Sequence, residues 1–139
     1  MAFLCGRNAL DAGATSIDVK LEQGGLEVLS VADNGSGIGR EDVQRLGQRH
    51  HTSKLRDTDD LATIATYGFR GEAVSSLCQM GDVQIVSRTA GDAVGHGVTF
   101  RHDGSVVRVE NVTRGQGTTV VVRKLFGDLP VRRQVGCYV

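Results

Sequence analysis

The sequence lacks several features that mark particular classes of protein. It has no tryptophan and only 4% aromatic residues, so it offers few rings on which single-stranded nucleic acid could stack. Its 16 basic and 16 acidic residues give a formal net charge of zero, which provides no general argument for nucleic acid binding. No apolar run approaches the ~20 residues of a membrane span, so we expect no membrane partner.

Proline and cysteine are scarce as well. There is one proline, and the three cysteines (Cys5, Cys78 and Cys137) lie far apart without the spacing of a metal site. Such a sparse and odd set is typical of a protein from a reducing intracellular compartment. With 139 residues, the chain is expected to form one globular domain with its own core.

Glycine, in contrast, is abundant, with 19 residues that cluster in a few loops. Alternation of apolar and polar residues between these loops predicts six strands: 16–22, 26–32, 82–89, 94–102, 105–110 and 117–124. Helical patterns are predicted at 41–48, 72–80 and, less clearly, 59–65. The fold class is therefore α+β, with one mostly antiparallel sheet covered by helices on one face.

The segment Gly68-Phe69-Arg70-Gly71-Glu72-Ala73 carries the strongest single signal. It opens a predicted helix, and the first amides of a helix have no internal partners and attract negative charge. Glycines also let the backbone approach a ligand closely. This combination suits a phosphate chain.

A second glycine cluster, Asp33-Asn34-Gly35-Ser36-Gly37-Ile38-Gly39, follows a predicted strand. A carboxylate at a strand end can accept hydrogen bonds from the exocyclic amine of a base, which adenine has and guanine lacks at that edge. Gly35 and Gly37 would leave room for the planar ring. The alternative is an ordinary Asn-Gly turn between strands.

Three further motifs have functional and ordinary interpretations. Asn8 has an amide oxygen that could complete an octahedral Mg²⁺, or it could only cap a helix or turn. The polar loop with Thr52, Ser53 and Lys54 could close over phosphates as a lid, or form a solvated basic edge with Arg49 and Arg56. Metal binding by His50 and His51 is disfavoured, because neighbouring side chains point apart.

The last motif is Gly117-Thr118-Thr119 at the start of the sixth strand. The Thr118 hydroxyl could bond a base directly or through water. Threonine is also common in strands, so this motif means little by itself.

Together these motifs resemble the MutL family of DNA mismatch repair proteins, within the superfamily of gyrase, Hsp90, histidine-kinase and MutL ATPases. The resemblance runs from about Asn8 to Arg133, and it is closest to the eukaryotic post-meiotic-segregation branch. It implies a Bergerat-type two-layer α/β sandwich, a nuclear location and a part in DNA mismatch repair.

The resemblance also implies roles for the motif residues. Asp33 would recognise adenine with help from Thr118, and Asn8 would hold Mg²⁺. Thr52, Ser53, Lys54 and the amides of Phe69 to Glu72 would hold the ATP phosphates. Lid closure would then drive dimerisation with a MutL homologue, as a heterodimer or homodimer, with DNA bound in the full-length protein.

The chain departs from this family at both ends. Leu4 occupies the position of the glutamate that activates water in the family, so no catalytic residue is assigned and hydrolysis is expected to be weak. Residues 1–7 and 134–139 do not follow the family. We therefore interpret residues 1–139 as a single ATP-binding domain of the superfamily that is truncated at the N-terminus.

Other functions stay open at this point. The chain could be a non-catalytic interaction fragment that pairs with a full-length MutL homologue. It could also be another member of the superfamily, or a glycine-rich β domain without a nucleotide. Several basic residues could contact DNA phosphates or be solvated charges: Arg114, Arg123, Lys124, Arg132 and Arg133.

Overall fold

One six-stranded antiparallel sheet forms the centre of the protein. The structure is a computed structural model that describes residues 6, 9–48 and 69–125, and of residues 69–73 the backbone only. The strands are β1 (Ile17–Glu22), β2 (Val28–Asp33), β3 (Asp82–Arg88), β4 (Gly95–Phe100), β5 (Val106–Val112) and β6 (Gly117–Arg123). Their order in the sheet is β1-β2-β6-β3-β4-β5, and every neighbouring pair is antiparallel. The predicted strands and the antiparallel sheet are confirmed.

Glycines make two of the predicted turns. A 3₁₀ turn at Gln23–Gly25 joins β1 to β2. In the β4–β5 hairpin, Gly104 has φ +84°, a conformation that side chains with a Cβ rarely adopt. Asp103 closes that turn by accepting a hydrogen bond from the Ser105 amide at 2.9 Å. The sequence signals for both hairpins were therefore correct.

Two helices of at least six residues lie beside the sheet in the described part of the chain, where residues 6 and 9–11 are also helical. The first, α1, spans Arg40–Arg45 and ends earlier than predicted. The second, α2, spans Phe69–Met80, so the helix begins three residues before the predicted start at Glu72. Gly71 disfavours a helix interior, but it lies in the first turn, where its cost is small. The possible helix at 59–65 lies outside the described residues.

The core lies between the helices and one face of the sheet. Val43 of α1 and three residues of α2 pack on inward-facing strand residues that alternate along each strand. These core residues are Leu29, Val31, Val43, Val74, Leu77, Cys78, Val83, Ile85, Val98, Phe100, Val122 and Leu125. Burial raises the pKa of the Cys78 thiol to about 11, so the thiol stays protonated at neutral pH. The helices thus cover one face, as predicted.

The opposite face of the sheet is only partly covered. It contains half-buried small and polar residues together with Val28, Val86 and Val121, and the Arg114 side chain lies against it. None of the helices in the described part of the chain is long and apolar enough to cross a membrane.

Candidate functional site

A row of polar side chains lies at one end of the covered face. Thr118 pairs with Ser87 across β6 and β3, and Ser87 pairs with His96 across β3 and β4. Asp33 ends β2 beside Thr118, whose amide donates to its carboxylate. The exposed fractions of Ser87, His96 and Thr118 are 0%, 3% and 9%. The site is thus built on rigid strands directly beside the core.

The Asp33 carboxylate is held by the backbone through one oxygen. Its Oδ1 accepts hydrogen bonds from the amides of Gly35 at 2.8 Å and Thr118 at 3.2 Å. No residue in the described ranges donates to Oδ2. The side chain is half-buried, so this second oxygen can accept a hydrogen bond from a ligand at a fixed position.

The neighbouring Asn34 has a structural part that the sequence did not reveal. Its Oδ1 accepts from the amides of Thr15 at 2.8 Å and Ser16 at 2.9 Å, and its Nδ2 donates to the Thr15 hydroxyl. The Ser36 amide also donates to the carbonyl of Ala12 at 3.0 Å. These hydrogen bonds hold residues 12–16, which follow Asn8 in the sequence, against the loop that begins at Asp33.

Ser87 joins three parts of the site, and sequence reasoning missed it. Its hydroxyl accepts from the Ile38 amide at 2.8 Å and donates to the Gly117 carbonyl at 3.0 Å. It lies 2.8 Å from the Thr118 hydroxyl. One sequence signal could have found it, because Ser87 takes the inward-facing position after Val83 and Ile85 in a predicted strand.

Two glycines allow the loops to approach the strands. Gly37 has φ +76°, and a Cβ at this position would clash with the carbonyl of Arg88. Gly117 has φ +131°, and a Cβ there would clash with the carbonyl of Asp33. Both positions therefore require glycine for conformation and for space.

Arg114 contacts the loop and strand ends around Asp33 from the uncovered face of the sheet. Its Nη1 donates to the Val86 carbonyl and the Thr119 hydroxyl, both at 2.8 Å. Its Nη2 donates to the Asp33 carbonyl at 3.2 Å, and its Nε to the Gly115 carbonyl at 3.0 Å. The sequence analysis considered Arg114 as a DNA contact or as a solvated charge. In the structure its guanidinium instead donates hydrogen bonds to backbone carbonyls and to the Thr119 hydroxyl.

Burial affects the charge of Arg114. Desolvation lowers the pKa of its guanidinium below the ordinary value, while the nearby Asp33 carboxylate acts in the opposite direction. Arginine still stays charged under these conditions. A half-buried carboxylate and a charged guanidinium therefore lie at the same corner on opposite faces of the sheet, and the guanidinium contacts the backbone carbonyl of Asp33.

His96 ends the polar row. Of the buried polar side-chain atoms in the described part of the chain, its Nε2 is the one without a hydrogen-bond partner. The same part of the chain contains no group of three or more His, Cys, Asp or Glu residues that could hold a metal ion.

The structure brings some of the predicted site residues together. Asp33, Gly35, Gly37 and Thr118 form one corner. Four others supply the first turn of α2, and only their backbone is described: Phe69, Arg70, Gly71 and Glu72. The remaining predictions lie outside the described residues: Leu4, Asn8, Thr52, Ser53, Lys54 and Gly68.

Residues 5–114 match a protein family described as histidine kinase-, DNA gyrase B- and HSP90-like ATPase. The chain belongs to this ATPase family. It is 49% identical to the DNA mismatch repair protein PMS1 of Arabidopsis thaliana over 125 residues, which are 90% of this chain and 14% of that protein. It is 46% identical to the mismatch repair endonuclease PMS2 of Homo sapiens over 127 residues, 91% of this chain and 15% of that protein.

Solved structures give the same assignment within the ATPase family. The N-terminal domain of a DNA repair protein superposes with a TM-score of 0.78 at 31% identity, covering 96% of this chain and 37% of that one. The MutL ATPase domain of Aquifex aeolicus, complexed with ADP, has a TM-score of 0.66 at 27% identity, covering 96% and 44%. The chain is a MutL-type ATPase domain, and it spans about one seventh of the length of the PMS1 and PMS2 relatives.

Proposed function

We propose that this MutL-type ATPase domain binds ATP with Mg²⁺ and that Asp33 recognises the adenine. The observation that supports this most is the Asp33 carboxylate, which two amides hold through Oδ1 while Oδ2 has no donor among the described residues. The ADP complex of the Aquifex MutL domain supports a nucleotide as the ligand.

The chemistry of the corner fits an adenine ring. The exocyclic amine of adenine donates hydrogen bonds, and an ionised carboxylate only accepts them. Gly35 and Gly37 let the loop pack closely beside the carboxylate, since a Cβ on Gly35 would come within 2.9 Å of the Ala12 Cβ and a Cβ on Gly37 would clash with the carbonyl of Arg88. Thr118 adds a hydroxyl next to Asp33 and assists this recognition.

The triphosphate would lie at the first turn of α2. Amides of Phe69 to Glu72 have no partners within the helix and can donate to phosphate oxygens. We propose that Gly68 lets the phosphates approach the backbone closely, and that Thr52, Ser53 and Lys54 bind them from a closing lid. Asn8 would hold Mg²⁺, which offsets phosphate charge when it is bound.

Leu4 leads us to propose weak hydrolysis. An apolar side chain cannot take a proton from the attacking water, and general base catalysis contributes about 10²–10⁴-fold to rate. ATP binding would then act through lid closure and dimerisation with a MutL homologue. In the full-length context this would occur on DNA in the nucleus, and residues 1–139 would contribute one ATP-binding domain.

The first experiment tests the adenine contact. We expect ADP and ATP to bind the 139-residue chain, and Asp33→Asn to weaken binding about 10- to 100-fold, because an amide is a weaker acceptor than a carboxylate. Asp18→Asn, a change of an exposed acid on β1, is the matched control. Isothermal titration calorimetry measures the dissociation constants of the wild type and both variants. The proposal would be contradicted if the wild-type chain bound neither ADP nor ATP, or if the two variants weakened binding equally.

The second experiment tests the role of position 4. We expect Leu4→Glu to raise ATP hydrolysis by about 10²–10⁴-fold over the wild-type chain, because it supplies a general base. Leu4→Gln has nearly the same size without a basic carboxylate and serves as control. Equal phosphate release by the two variants would show that position 4 does not act as a base.

A second function, a non-catalytic interaction fragment, is favoured by exposed apolar residues near one edge of the sheet. Val19 and Leu21 of the edge strand β1 are 50% and 53% exposed. A full-length MutL homologue is the partner we propose for this alternative. Co-purification of the two proteins, lost in a Val19→Ser, Leu21→Ser variant, would support it.

A further inference from the structure

We propose that the open edge of β1 pairs with β1 of a second copy of this chain and forms a symmetric dimer that needs no nucleotide. β1 is the first strand in the sheet order, and in the described part of the chain it pairs with β2 alone. An unpaired strand edge presents backbone donors and acceptors that can bind another strand. This inference goes beyond the proposed function, because it rests neither on Asp33 nor on a bound nucleotide.

Backbone hydrogen bonds show which residues of β1 face the open edge. The Ser16 carbonyl accepts from the Asn34 amide, and the Glu22 carbonyl accepts from the Glu27 amide, both at 3.3 Å. Since the direction of the backbone groups alternates along a strand, the even-numbered residues of β1 direct theirs towards β2. The odd-numbered residues therefore direct their backbone groups to the open edge: Ile17, Val19 and Leu21.

The side chains of these odd-numbered residues extend the apolar face of the sheet. Val19 lies opposite Val31 and Leu21 opposite Leu29, so they share the covered face with the core. Val31 and Leu29 are 3% and 5% exposed, whereas Val19 and Leu21 are 50% and 53% exposed. The apolar face thus continues to the edge of the sheet, and a strand from a second copy would cover part of it.

Charge favours one register for two antiparallel copies of β1. When Val19 faces Val19 of the second copy, Asp18 faces Lys20 on both sides of the two-fold axis, and Ile17 faces Leu21. The uncovered face then carries opposite charges in contact, and the covered face carries apolar pairs. The neighbouring registers place Lys20 against Lys20 or Asp18 against Asp18, and like charges directly opposite each other destabilise a strand pair.

One further register is also free of this repulsion. With Leu21 facing Leu21, Lys20 would face Glu22 of the second copy. This register leaves the first half of β1 without a partner, since the strand ends at Glu22. The register centred on Val19 pairs most of the strand, and it alone requires Asp18 to face Lys20.

The test measures the mass of the chain in solution without nucleotide, by analytical ultracentrifugation over a range of concentrations. We expect a reversible dimer, which Asp18→Lys weakens about 10- to 100-fold, because it places like charges together on both sides of the axis. Lys20→Asp should weaken the dimer similarly. The double variant with both changes restores opposite charges and should restore the dimer, whereas a merely structural effect of either change would persist.

Arg108→Asp, on the other edge strand β5, is the matched control. Arg108 forms an ion pair with Glu110 two residues along its strand, as Lys20 does with Glu22, so both substitutions remove a similar ion pair and change the net charge equally. The control should leave the dimer unchanged. If it weakened the dimer as much as Lys20→Asp, the contact would lie elsewhere and the inference would be wrong.

Three other outcomes would overturn the inference: no dimer up to about 1 mM chain, a dimer formed only with ATP, or a double variant that stays monomeric. A monomeric chain that still binds a full-length MutL homologue would overturn it and leave the alternative function intact. None of these outcomes concerns nucleotide affinity at Asp33, so failure of this inference and failure of the proposed function are distinguishable.

Discussion

Two neighbouring rows on the covered face of the sheet have the same strands and similar burial but opposite chemistry. One row consists of Val31, Val120, Ile85 and Val98, and the other consists of Asp33, Thr118, Ser87 and His96. Ile85 is 1% exposed and Ser87 0%. Two positions further along each strand, the inward-facing residues are thus polar instead of apolar, and most of them are hydrogen-bonded.

The difference shows how a small domain can hold polar groups rigidly. The apolar row stabilises the sheet through burial, whereas buried polar groups are costly unless they are paired. Ser87 meets this condition with three hydrogen-bond partners. We therefore expect the apolar row to determine stability and the polar row to determine what the proposed site can bind.

The strongest test of this division is Ile85→Ala. Truncating a fully buried isoleucine should lower the free energy of unfolding by about 2–5 kcal/mol, through lost burial and a cavity. Val107→Ala, at a valine that is 52% exposed, is the control and should cost far less. Urea unfolding measures both. Under conditions where Ile85→Ala is folded, its affinity for ADP should equal that of the wild type. A loss of ADP affinity in the folded variant would show that the apolar row also determines binding.

A glycine exchange at the polar end should have a smaller effect on stability and a direct effect on binding. Gly117→Ala introduces a Cβ against the Asp33 carbonyl at φ +131°. We expect a cost of about 1–3 kcal/mol and weaker nucleotide binding, because the Asp33 corner must shift. Gly115→Ala, in the same loop, meets no atom within 4 Å and is the matched control. Similar unfolding curves for the two variants would argue against a constrained corner.

The smallest effect on stability is expected from Asp92→Asn, in the turn that follows β3. Hydrogen bonds from the Thr89 amide and hydroxyl lower the pKa of Asp92 from its ordinary 3.8. A lowered folded-state pKa stabilises the protein above pH 3.8, and this contribution is lost as pH falls through the folded value. The melting temperatures of wild type and Asp92→Asn should therefore converge below about pH 3.8. A difference in melting temperature between the two proteins that stays constant with pH would contradict this prediction.

The sequence predicted local features well, because they depend on neighbouring residues. Alternation located all six described strands, and the glycine pattern around Asp33 predicted the loop that forms one corner of the candidate site. Ser87 was missed although its inward-facing position was visible in the sequence, because its contacts with Gly117 and Thr118 depend on the pairing of β3 with β6. Arg114 was misinterpreted for the same reason, because its contacts to Val86 and Asp33 depend on the sheet order.

The order of strands has a consequence for protein synthesis. β6 lies between β2 and β3, yet it is the last of the six described strands in the sequence. While the ribosome has not yet released Gly117–Arg123, β2 and β3 each expose an unpaired edge that can join another nascent chain. Among the described strands, β6 joins β1 and β2 to β3, β4 and β5, so a nascent chain halted before Gly117 would contain two separate groups of strands and no complete polar row.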